Sequence, residues 1–168
     1  MVKNMKIILT MNLKKAGTRK HYEKTIKNGI SRGEVLDHSS TLLPVNDESL
    51  YIWGLSNGKQ NKSLFERMSV GDELLFVNYD KFYKSRIIGM TIDQTLGDYL
   101  WDPEDEKHWS NILFIENLQE VNLEREDLIN LLNYKENYRF QRTLILEGEK
   151  EERLDELLFE NNIRNLRH

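Results

Sequence analysis

Glu73-Leu-Leu-Phe-Val-Asn-Tyr79, followed by Phe82-Tyr-Lys-Ser-Arg-Ile-Ile-Gly-Met90, is the stretch on which the reading of the fold turns. Two runs rich in Val, Ile, Phe and Tyr on either side of Tyr79-Asp-Lys81 form an antiparallel hairpin. Ser69-Val-Gly71-Asp72 is the turn that launches it, and the second strand extends to about Gln94. Upstream, Leu50-Tyr-Ile-Trp53 alternates as a strand, with Leu50 and Ile52 on one side and Tyr51 and Trp53 on the other. Lys6–Met11 reads as a first strand, Asn111–Ile115 as a later one, and Phe140–Leu146 as the last.

Short helices fall between the strands. Thr18 caps a helix through Lys27 that is ended by Asn28-Gly29. Residues 31–48 read as irregular. A helix over Gln60–Met68 buries Leu64, Phe65 and Met68. Gly97–Lys107 reads as an acidic loop carrying Trp101. Leu128, Leu131 and Leu132 mark a helix capped by Asn122, and Glu149–Asn161 forms a closing helix. Arg164–His168 read as a frayed end or the start of a linker. Strands and helices without regular βαβ alternation imply an α+β fold, a curved mixed β-sheet or small β-barrel of about six strands flanked by short helices. The whole chain, 1–168, reads as one domain, with a barrel core over about 5–146.

The 168 residues are 39% hydrophobic and 31% charged, and no apolar run approaches a membrane span. The N-terminus lacks a signal-peptide core, so a cytoplasmic protein with no membrane partner is expected. Absence of cysteine excludes disulfides, thiolate metal sites and a cysteine nucleophile. The net charge of −4 conceals a strong asymmetry. Residues 1–33 carry nine lysines and arginines against Glu23 alone. That segment suits a polyanion, and equally a solvated helix face.

Motifs for chemistry are few. There is no P-loop, dinucleotide fingerprint, H-E-x-x-H or G-x-S-x-G. Leu144-Ile-Leu-Glu147-Gly-Glu149-Lys150 lacks the acid-x-Lys triplet of a nuclease core, since Gly148 stands two before Lys150. The acidic run Asp98, Asp102, Glu104, Asp105, Glu106 lacks the spacing of a calcium loop. No catalytic residue, metal site or cofactor is expected.

What remains is aromatic. Trp109 beside Ile112–Ile115 reads as core. Trp53 precedes the polar stretch Gly54-Leu-Ser-Asn57, and Trp101 sits in a polar loop with only Tyr99 and Leu100 as apolar neighbours. Both read as walls of a slot for a flat group.

Tyr51-Ile-Trp53-Gly54…Asn57, then Met68-Ser-Val-Gly-Asp72-Glu-Leu-Leu-Phe76-Val-Asn78, Ile88-Gly89-Met90 and Trp109-Ser-Asn-Ile-Leu-Phe114 occur in the order seen in EVE and YTH domains of the PUA-like superfamily, which the chain resembles. Similar modules form the N-terminal DNA-reading domains of McrBC-type, modification-dependent restriction systems. The resemblance implies a non-catalytic reader that takes a flipped base of DNA, N6-methyladenine or a modified cytosine, into an aromatic cage. It implies Trp53 and Trp101 as cage walls, Ser56 and Asn57 as edge contacts, and Asn12 as a polar contact. With no third cage tryptophan in evidence, Tyr51, Tyr79 or Phe82 serves. Lys14, Lys15, Arg19, Lys20, Lys59 and Lys62 then hold phosphates. An effector such as a nuclease or AAA+ motor is the implied protein partner. An RNA-binding PUA-like module and a small ASCH-type hydrolase are the competing readings, the latter weakened by the lack of a Lys-x-x-Glu-x-Arg run.

Overall fold

A computed structural model describes residues 4–103 and 106–166, with side chains to Asn161. In chain order the elements are β1 (Lys6–Thr10), α1 (Ala16–Tyr22) continued by a π-helical turn (Glu23–Lys27), β2 (Ile30–Ser31), α2 (Arg32–His38) and β3 (Ser49–Leu55). Then come α3 (Lys59–Arg67), β4 (Glu73–Asn78), β5 (Lys81–Ile92), α4 (Gln94–Leu100), β6 (Asn111–Ile115), β7 (Gln119–Val121), α5 (Arg125–Leu131), β8 (Leu144–Leu146) and α6 (Glu149–Leu166). The architecture is α+β with a mixed sheet. Among the described residues the strand path runs from β2 to β8 without pairing these two ends to each other, so the barrel alternative gives way to an open sheet.

The chain divides into two compact units, residues 1–12, 73–85 and 118–168 forming one, and 13–72 with 86–117 the other. In the first, β1 lies between β4 and β8, parallel to one and antiparallel to the other. A strand covered on both faces reads as a continuous apolar run, and Ile7, Ile8 and Leu9 are all buried. Parallel pairing also sets Lys6 beside Glu73. Lys6 bonds Glu73 and lies 2.8 Å from Asp155 of α6, tying the closing helix to the strand. Burial opposes the Lys6 charge, but its bonds to Asp155 and Glu73 outweigh burial and raise its pKa. Phe82, at the start of β5, is 1% exposed and packs with Val77, Leu128, Leu146 and Leu154.

In the second unit β3, β6 and the rest of β5 are antiparallel, with Trp53 opposite Leu113, Gly54 opposite Ile112 and Met90 opposite Leu113. Leu50 and Ile52 face a core with Val35, Leu96, Ile112 and Phe114. Asp93 is the hinge of this core. Its carboxylate caps α4 through Leu96 N (3.0 Å) and holds the loop after α2 through Ser40 N (2.8 Å) and Ser40 Oγ (2.6 Å). Burial alone would raise its pKa. Those donors outweigh burial and hold it below the ordinary carboxylate value.

Several elements differ from the sequence reading. The first helix begins at Ala16 with no side-chain cap, so Thr18 lies inside it. Residues 32–38 are helical, with Ser31 Oγ accepting from Glu34 N. Residues 97–100, read as loop, belong to α4, because Asp93 supplies a cap that compensates for Gly97. Asn122 is not the cap of α5, which Glu124 precedes. Of Phe140–Leu146 only the last three residues pair as strand. Residues 164–166 continue α6, while His168, Glu104 and Asp105 lie outside the described residues. Among the described residues no helix is long and apolar enough to cross a membrane.

Candidate nucleic-acid interface

Trp53 and Trp101 do not face each other. On β3 successive side chains leave opposite faces, so Gly54 points away from Trp53. A Cβ on Gly54 would lie 2.8 Å from Trp101 Cη2 and 2.9 Å from Cε3, which places the Trp101 indole over Gly54. Trp101 follows α4 as its C-cap, is 2% exposed, and packs with Leu50, Ile52, Leu100 and Phe114. The expectation that it walls an open slot is corrected: α4, unseen in the sequence, carries it into the core. Trp53 is half-buried on the other face of β3, with Tyr51.

Trp109, expected in the core, is only partly buried. The His21 ring of α1 stands T-shaped to it at 5.3 Å and 83°, and lies 6.1 Å from Trp101. Lys107 Nζ stands 5.2 Å from the Trp109 ring centre. Gly97 makes this loop possible, since a Cβ there would collide with the Trp109 carbonyl group, 2.9 Å from its carbon.

Ser56 and Asn57 are occupied in bracing. Ser56 Oγ accepts from Asn61 Nδ2 at 2.7 Å, and its carbonyl from Asn111 Nδ2 at 3.1 Å. Asn57 N donates to the His108 carbonyl at 2.8 Å, and Asn57 Oδ1 accepts from His108 N at 3.3 Å. His108 Nδ1 in turn lies 2.7 Å from Asp98 Oδ1. These bonds fix the segment after Trp53 against the loop before β6.

The six basic residues expected at phosphates, Lys14, Lys15, Arg19, Lys20, Lys59 and Lys62, are all exposed in the second unit. Lys20 lies 3.7 Å from Asp102. Lys24, which the helical spacing already sets on one side with Lys20 and Lys27, donates from Nζ to the Tyr99 carbonyl at 3.2 Å, and Lys107 lies over Trp109.

Asn12, Tyr79 and Phe82 belong to the first unit. Phe82 is core and presents no ring to a ligand. Tyr79, 63% exposed, turns the β4–β5 hairpin at φ 55° with the Arg125 guanidinium 4.8 Å from its ring centre. Asn12 is exposed. Among the described residues no group of three or more His, Asp or Glu side chains could hold a metal ion.

The fold is similar to that of the N-terminal domain of Thermococcus gammatolerans McrB bound to m5C DNA. The TM-score is 0.64 at 15% identity, over 94% of this chain and 98% of that one. At that identity the likeness is one of fold. No protein-family model matches the chain, and no curated protein matches it.

Proposed function

We propose that this chain is a non-catalytic reader of modified DNA that seats one extruded base, a modified cytosine or N6-methyladenine, against Trp53. The observation that carries the reading is the likeness, along nearly the full length of both chains, to a domain in complex with m5C DNA. The exposed cations of α1 and α3 and the half-buried Trp53 on the same unit support it. With Trp101 in the core, the seat rests on one indole face rather than on a cage of two.

Extruding a base costs a few kcal/mol. One aromatic contact returns about 1–3 kcal/mol, and phosphate contacts supply affinity that does not depend on sequence. A methyl group adds on the order of 1 kcal/mol by leaving water, about five-fold in affinity. Discrimination is therefore modest and depends on Trp53. In this role the chain serves as the targeting module of a modification-dependent restriction system, with cleavage done by a separate effector domain or chain.

The test compares duplexes identical but for one 5-methylcytosine or N6-methyladenine, titrated against the natural protein and Trp53→Ala. The natural protein is expected to prefer a modified duplex by about five-fold. Trp53→Ala should retain salt-dependent binding and lose the preference. An unchanged preference in Trp53→Ala would exclude this seat.

A further inference from the structure

Two rings in the second unit are lidded by lysines rather than by apolar side chains. Tyr99 of α4 has His38 of α2 stacked on it, with ring centres 3.4 Å apart and planes at 7°. A ring that close fills one face, so Lys24, with Nζ 4.9 Å from the Tyr99 centre, covers the other. The Tyr99 hydroxyl donates to Glu34 Oε1 at 2.7 Å, which fixes the ring plane. Trp109 has Lys107 over its ring, and the His21 ring stands T-shaped to it at 5.3 Å. Both rings border the core that contains Trp101, and Trp53 leaves β3 from the opposite face.

From these contacts we infer that Tyr99 under Lys24 and Trp109 under Lys107 form a second contact track, for unpaired nucleotides of single-stranded DNA, separate from the Trp53 seat. An exposed cation–π pair is weak; Lys24 and Lys107 are exposed residues, and Lys24 is held besides by its bond to the Tyr99 carbonyl. A phosphate that draws such a lysine away uncovers the ring face beside it, and the base attached to that phosphate is the flat group that can stack there. A nucleotide brings both parts at the spacing of one residue of the strand. Paired bases in a duplex already have both faces covered, so the track suits unpaired nucleotides.

The charge around the rings agrees. Residues 14–27 carry six lysines and arginines against Glu23 alone. Lys20 lies one helical turn before Lys24, beside the loop that carries Trp109. Of the nearby acids, Asp98 lies with His108, Asp102 with Lys20 and Glu34 with Tyr99, while the charge of Asp37 also acts on Tyr99.

The probe is an unmodified oligothymidylate of about ten nucleotides, within the range a single module spans. It is titrated against the full chain by fluorescence anisotropy at several salt concentrations. The natural protein is expected to bind it, and Tyr99→Leu, which keeps an apolar side chain on the core, should weaken binding about ten-fold. Lys24→Ala with Lys107→Ala, both exposed positions, should make the slope of log K against log salt shallower by about 1.4. Lys135→Ala, an exposed lysine of the first unit, should change neither. Failure of the natural protein to bind, or an unaltered slope in the double lysine variant, overturns the inference. Because the probe carries no modification, a protein that prefers modified duplexes yet ignores it loses only this inference. One that binds it through these residues without any such preference loses only the reader reading.

Discussion

Gly54→Ala puts the placement of Trp101 to the test. The added methyl lies 2.8–2.9 Å from indole carbons Cη2 and Cε3, where carbon atoms ordinarily rest about 3.5–4.0 Å apart. Cζ3 lies closer still, so the indole must withdraw by more than about 1 Å. It has nowhere to go, because Ile52, Leu96, Ile112 and Phe114 around it are fully buried. Overpacking of this kind costs up to about 3 kcal/mol. Alanine recovers up to about 1 kcal/mol over glycine in a strand. The net loss is about 2 kcal/mol, which lowers the thermal midpoint of a chain this size by about 4–8 °C. The assay is thermal and urea denaturation, with near-ultraviolet circular dichroism following the indole. In a Trp101→Leu background the same Gly54→Ala change should be neutral or stabilising, since the methyl then has room. A Gly54→Ala protein as stable as the natural one, or an equal loss in both backgrounds, would refute the seating of Trp101 on β3.

Two further outcomes follow from named contacts. Because its folded pKa is lowered, Asp93 contributes stability that is fully present above its ordinary value of 3.8 and is lost as pH falls below it. Asp93→Asn should cost about 1–3 kcal/mol at neutral pH, and its urea midpoint should fall less steeply than the natural protein's between pH 4 and more acid conditions. Lys15→Ala with Lys20→Ala should make the salt slope of duplex binding shallower by about 1.8. That change should be the same for modified and unmodified duplexes, as read by anisotropy titration.

The strands were legible because their signals are local. Glu73–Asn78 and Asn111–Ile115 have the bounds their apolar runs imply, and the alternation of Leu50, Ile52 against Tyr51, Trp53 matches their burial. The α2 helix carried a cap signal, Ser31 with Glu34 three residues on, in a stretch whose turn residues pointed elsewhere. The α4 helix was obscured by Gly97 and by the acidic residues that follow. Trp101 was misplaced for a deeper reason. Its burial depends on a missing side chain at Gly54, 47 positions earlier, and no local pattern reports that. Trp109 packs against the core as its strand neighbours imply but is only partly buried, with His21 and Lys107 against its ring.

The reader account stands on one base leaving the duplex. Placing 2-aminopurine, paired with thymine, next to a single 5-methylcytosine reports this directly, because its emission rises when the neighbouring base leaves the stack. The account predicts a rise on adding the protein, larger for the modified duplex than for its unmodified twin and absent with Trp53→Ala. Equal emission from both duplexes at saturating protein would contradict it.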